Sequence, residues 1–190
     1  MSTPREDMTR LDNLVSIRRN WEAHWQEIAD LVHPRKNDFT RGSFETSRGE
    51  RRGLLAIDST GIVANELLAA GMHGMLTNPA SKWFQLRITD GVLNEDQQVQ
   101  MWLAEVEKQI YIALNNPSTA FTSHMHELYL DVPAFGTAVM FIGDNSGDPI
   151  FQARHLRECY LAENDEGVVD TIYREFSFTT RQIMQRWPES

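Results

Sequence analysis

Four groups of side chains in this sequence have the types that could do chemistry. His124 and His126, with Glu127 beside them, are zinc-ligand types. Their segment patterns as a helix, where positions i and i+2 point apart, so the two imidazoles make a poor chelate. The run DNSGD at 144–148 has spaced carboxylates in the manner of a calcium loop. Pro149 stands where that loop needs its sixth-position glycine, and the closing glutamate is missing, so the run reads as a hairpin turn. Asp58, Ser59 and the histidines supply the residue types of a triad. No Gly-x-Ser-x-Gly elbow and no Gly-x-x-x-x-Gly-Lys phosphate cradle occurs, however. Cys159 lies in a predicted strand with no motif around it, the setting of a buried and inert thiol. The residues therefore assign no catalytic group, no metal ligands and no cofactor site. The chain reads as a non-enzyme whose function comes from shape and assembly.

Two stretches carry physical information of another kind. Residues 35–53 hold six basic residues (Arg35, Lys36, Arg41, Arg48, Arg51, Arg52) against three acidic ones (Asp38, Glu45, Glu50). Such a loop is either a solvated surface or a contact for phosphates or an acidic neighbouring chain, with Arg41, Arg48, Arg51 and Arg52 as candidates. The second stretch is LLAAGMHGMLTNPASKWFQL, residues 67–86. Its helix-like pattern sheds side chains through Ala69, Ala70, Gly71 and Gly74, although glycine costs about 1 kcal/mol relative to alanine inside a helix. Small residues at that spacing predict close approach by a second helix, a neighbouring subunit or a ligand.

The elements that position these groups follow from periodicity. Leu14, Ile17, Trp21, Trp25, Ile28 and Val32 recur in steps of three and four, predicting an amphipathic helix over 8–33 that Pro34 stops. Arg18, Arg19, Glu22, Gln26 and Asp30 fill its predicted polar face, and Trp21 and Trp25 its core stripe. Residues 35–56 break every period and read as a loop. Asp58-Ser59-Thr60 is predicted to cap the next helix, which Thr77-Asn78-Pro79 ends. WFQLRI at 83–88 alternates as a strand. Asn94 is predicted to cap a helix whose stripe is Val99, Leu103, Val106, Ile110 and Leu114. Ser118 or Thr119 starts another, carrying Phe121, Met125, Leu128 and Val132. Beyond Pro133 the pattern turns to strands: TAVMFI at 137–142 as a buried one, then IFQARHL, CYLAE and VVDTIYREFSF, the last pair joined by NDEG. Thr179-Thr180 caps a short helix ending near Trp187. Helices first and antiparallel strands later make an α+β fold class.

The totals agree with an assembly role. The 190 residues suffice for one domain or two small ones, and the net charge of −9 opposes wholesale coating of nucleic acid. The single cysteine excludes an internal disulfide framework and a four-cysteine zinc site. No run reaches 18 apolar residues, so no membrane-spanning helix is predicted.

Taken in order, the Trp-rich first helix ending in LVHP, the Arg/Gly loop, IDSTGIVANELLAAGMHGMLTNPASKWFQL, FGTAVMFIG and GVVDTIYREFSFTTRQIMQRW resemble the head-to-tail connecting (portal) proteins of podovirus-type tailed bacteriophages. The resemblance runs from about residue 10 to 187. Family members are considerably longer. The resemblance therefore implies that residues 10–190 are an N-terminal, wing-region part: helical over 10–133, mainly strands over 137–178, and a short helix at 179–187. Stem and clip would lie beyond Ser190. It further implies a structural subunit of a dodecameric ring at one vertex of the head, assembled in the host cytoplasm and carried in the virion. The implied partners are other copies of the chain, the major capsid protein, the terminase, tail adaptor proteins and the double-stranded DNA passing through the channel. A stand-alone nucleic-acid-binding module using the Arg-rich loop is the alternative.

Overall fold

The computed structural model describes residues 3–40, 55–145 and 147–188. It divides into two units: Met1–Asp58 with His155–Ser190, and Ser59–Arg154. The fold class is α+β, as expected, with two separate antiparallel strand pairs.

The first unit is built on α1, Pro4–Leu31. A capping box opens it: the Thr3 hydroxyl accepts the Glu6 N–H while the Glu6 carboxylate accepts the Thr3 N–H at 2.9 Å. The helix thus begins earlier than its apolar stripe. The expected faces also need correction. Ile17 and Trp21 are 68% and 57% exposed, whereas Arg18, assigned to the polar face, is buried. Its guanidinium donates to the carbonyls of Leu156 (2.9 Å), Arg157 (2.9 Å) and Cys159 (2.6 Å), and pairs with Glu22 at 2.7 Å. Polar residues further along α1 hold residues 37–40. The Gln26 amide donates to the Asn37 carbonyl at 2.8 Å and accepts the Thr40 N–H at 3.2 Å, and Asn37 donates to Asp30 at 3.0 Å. Trp25 is half-buried against Phe39, with 5.6 Å between ring centroids.

In the same unit β1, Cys159–Glu163, pairs with β2, Val169–Arg174, Cys159 lying opposite Arg174. The connection bends through Gly167 at φ 75°, and the Asn164 carboxamide accepts the N–H groups of Glu166 and Val168. Cys159 is buried, as expected. A short helix, α2, Thr180–Arg186, starts on a Thr179–Gln182 capping box, as Thr179 suggested.

The second unit contains α3 (Thr60–Leu76), α4 (Gly91–Glu95), α5 (Gln97–Asn115), α6 (Phe121–Phe135) and a hairpin of β3 (Val139–Asn145) and β4 (Asp148–Arg154). The α5 stripe Val99–Leu103–Val106–Ile110–Leu114 faces inward as its period predicts, with Glu107 buried among it. Several expectations change here. Ser59 is the N-cap residue of α3, but its side chain makes no capping bond. Asp96, not Asn94, caps α5, accepting the N–H of Gln98 at 2.7 Å. Pro133 sits inside the last turn of α6 rather than ending it; the helix ends at Gly136, whose φ of 77° is the left-handed conformation of a glycine C-cap. The start of α6 is set by Ala120, at φ 54°, and not by Ser118 or Thr119, which lie in a preceding 3-10 turn. The strand expected to be buried at 137–142 is half of a hairpin whose Phe141 and Ile142 are 49% and 64% exposed. A two-stranded sheet covers neither face fully, so its apolar residues stay at the surface. The calcium-like run is a hairpin turn, as expected, with the Asp144 carboxylate accepting the Gly147 N–H at 2.9 Å.

Residues 83–88 are not a strand: no ladder forms there. Side chains satisfy the backbone instead. The Tyr111 hydroxyl accepts the N–H groups of Trp83 and Phe84, the Glu107 carboxylate that of Leu86 (2.8 Å), and the Asn94 carboxamide that of Ile88 (3.0 Å). This explains why Asn94 is unavailable as a cap. Trp83 stacks on Phe121 and Phe84 on Tyr111, with centroids 6.2 and 4.7 Å apart, and Phe121 meets Phe151 edge-on at 4.9 Å. This aromatic cluster joins the segment to α5, α6 and β4.

Candidate functional site

The small-residue run lies on α3, and the two sides of that helix differ. Ala69 is fully buried against Tyr129 and Leu130 of α6, with Met72 and Met125 packed around them. Asn65 is buried beside them and donates to the Leu130 carbonyl at 3.1 Å. The close approach is thus made at Ala69. Ala70, Gly71 and Gly74 face the other way and are exposed. A Cβ built at Gly71 or Gly74 would meet nothing within 4 Å. Their neighbours on that side are apolar and exposed: Leu67 70%, Leu68 52%, Met75 86% and Leu76 53%. No charged residue interrupts this face between Leu67 and Leu76. Scattered exposed apolar side chains are ordinary, whereas a contiguous apolar helix face flattened by two glycines has the character of a protein contact.

The histidines assemble beside this helix without forming a metal site. His73 of α3 lies edge-on to His126 and to Tyr129 of α6, with centroids 6.1 and 5.9 Å away. His126 approaches Glu66 at 3.6 Å, while His124 turns to Glu127 at 3.5 Å, so the two α6 histidines diverge as the i, i+2 spacing requires. Burial holds the His73 imidazole below its ordinary value, and the nearby His126 lowers it further. Among the described residues no cluster of His, Cys, Asp and Glu could hold a metal ion.

In the first unit, Asp38 is buried between His155 (2.7 Å) and Arg157 (3.2 Å). Sequence reasoning missed this cluster because its members are about 120 residues apart. Burial raises the Tyr160 phenol above its ordinary value; the Arg18 guanidinium, 3.7 Å from the ring centroid, opposes the rise. Arg41, Arg48, Arg51 and Arg52 lie outside the described residues.

The sequence matches the profile of the family described as "Bacteriophage head to tail connecting protein" over residues 5–190. The chain belongs to that head to tail connecting family. It is similar to the "Probable portal protein" of Bordetella phage BPP-1, with 32% identity over 181 residues, and to the "Portal protein" of Salmonella phage epsilon15, with 30% identity over 181 residues. Each match covers 95% of this chain and 32% of the relative, so the head to tail connecting chain spans about a third of the length of these curated relatives. Neither the family nor these relatives support a stand-alone nucleic-acid-binding module. Among the described residues of this family member, no helix is long and apolar enough to cross a membrane.

Proposed function

We propose that this chain is the wing-region part of a structural portal subunit, which joins with other copies in a ring of about a dozen at one vertex of a phage head. The ring serves as a conduit for double-stranded DNA during packaging and ejection. It docks the terminase on assembly and tail adaptor proteins afterwards, and it sits among copies of the major capsid protein in the virion. The ring assembles in the host cytoplasm and performs no catalysis of its own.

The single observation that carries this reading is the family match over residues 5–190, together with two relatives named as portal proteins. Physical features support it. A ring repeats one heterologous contact, and the outward apolar face of α3, with Ala70, Gly71 and Gly74 at its centre, has the flatness such a contact uses. The net charge of −9 suits a wall past which DNA slides, since a strongly basic wall would hold it through its phosphates. Arg41, Arg48, Arg51 and Arg52 are the proposed contacts to phosphate or to an acidic neighbouring subunit. Native mass spectrometry of the intact protein tests the reading. A dominant species of about twelve subunit masses is expected; a protein that stays monomeric at every concentration contradicts it.

A further inference from the structure

Residues 83–88 have a strand's alternation and, among the described residues, no strand beside them. Phe84, Leu86 and Ile88 are partly buried, while Gln85 and Arg87 between them are exposed. The hydrogen bonds alternate in step. The N–H groups of Leu86 and Ile88 turn inward to Glu107 and Asn94, and the Asn94 carboxamide returns a bond to the Ile88 carbonyl at 2.5 Å. That amide thus exchanges two bonds with one residue, as a paired strand does. Among the described residues, no hydrogen bond reaches the backbone N–H of Gln85 or Arg87. In an extended segment these groups point to the edge opposite Leu86 and Ile88. One edge is therefore closed by side chains and the other is open. Such an edge is a template for strand addition. A groove of about 520 Å³ lies on the closed side, lined by Leu86, Asn94, Leu103 and Glu107 among others.

The same unit carries a fitting donor. Among the described residues β3 pairs only with β4, which leaves it one outer edge, and its Phe141 and Ile142 project exposed from opposite faces. Its tip is acidic, with Asp144 on β3 and Asp148 at the start of β4, and β3 itself has no basic residue. Arg87 carries the exposed positive charge of the segment, while Lys82 before it pairs with Glu107 at 3.4 Å. We propose that residues 83–88 accept the outer edge of β3 from a second copy of this chain. The strand would complete its ladder on the Gln85 and Arg87 edge, and the acidic hairpin tip would lie against Arg87. The contact is heterologous, using different surfaces on the two copies, and so suits a closed ring. The inference rests on the ring reading and deepens it by naming a seam.

Charge exchange in the intact protein tests the contact, with ring content read by electron microscopy and melting temperature as the control for folding. Arg87→Glu and Asp144→Arg are each expected to lower the ring fraction about tenfold, and the two together to restore it. Gln85→Pro removes an outward N–H while leaving the inward bonds of Leu86 and Ile88, and is expected to lose rings with melting retained. Rings undiminished by the single changes, or a double variant no better than the singles, would overturn the strand contact while leaving the ring reading intact. If the unaltered protein forms no ring, both fall together.

Discussion

The Arg18 guanidinium of α1 lies over the Tyr160 ring of β1, 3.7 Å from its centroid, and in that position donates to three carbonyls, those of Leu156, Arg157 and Cys159. One planar cation thereby ties α1 to the 3-10 turn at Leu156–Glu158 and to the first residue of β1. Glu22, pairing with the same guanidinium, supplies the compensating charge.

Arg18→Met is expected to destabilise the chain by about 3–5 kcal/mol, because the carbonyls and the Glu22 carboxylate lose a shared buried partner. Arg18→Lys should recover only part of the loss, since an ammonium cannot both stack on the ring and fork to several acceptors. Urea unfolding monitored by tryptophan fluorescence measures both. A loss below about 1 kcal/mol for Arg18→Met would mean that water replaces the guanidinium.

Acid should weaken the second unit through His73. Burial, with His126 adding to it, makes the folded chain bind this proton more weakly than the unfolded chain, where the group titrates near 6.5. The unfolded state therefore takes up more protons as pH falls through that region. The contribution of neutral His73 is full above about pH 6.5 and declines below it. The urea midpoint is expected to drop between pH 7.5 and 5.5, and His73→Gln to flatten part of that slope. The difference between the two slopes is the quantity read.

Gly71 and Gly74 should separate folding from assembly. A Cβ at either position meets nothing within 4 Å among the described residues, so Gly71→Ala and Gly74→Ala are expected to raise stability by up to about 1 kcal/mol each through helix propensity. Leucine at both positions should leave melting unimpaired and abolish rings, by filling space a neighbour uses. Rings formed normally by the leucine pair would remove α3 from the interface.

Tyr111→Phe removes the acceptor for the N–H groups of Trp83 and Phe84. A cost of about 1–3 kcal/mol is expected, with faster hydrogen exchange confined to residues 83–86. Unchanged exchange there would show that the aromatic stacking alone holds the segment.

These particulars also mark how far the sequence could be read. The α5 stripe and the Thr179 cap were legible because both are set by residues within a few turns of one another. The role of Arg18 was not, because its acceptors lie 138 to 141 residues away and a buried arginine has the same letter as a solvated one. The alternation at 83–88 predicts a strand and none forms, because a ladder also needs a partner, and Tyr111, Glu107 and Asn94 take that place here on one edge. The small-residue run at Ala69, Ala70, Gly71 and Gly74 predicts close approach, and within the chain that approach is made at Ala69. Which side of it packs on α6 and which stays open depended on the placement of Tyr129 and Leu130 over Ala69, a tertiary fact.

The most direct test of the account is electron microscopy of the purified intact protein, sorted for end-on views. A closed ring of about a dozen copies around a central hole is the predicted result. A uniform population of single subunits, with no rotational symmetry in any view, would contradict it.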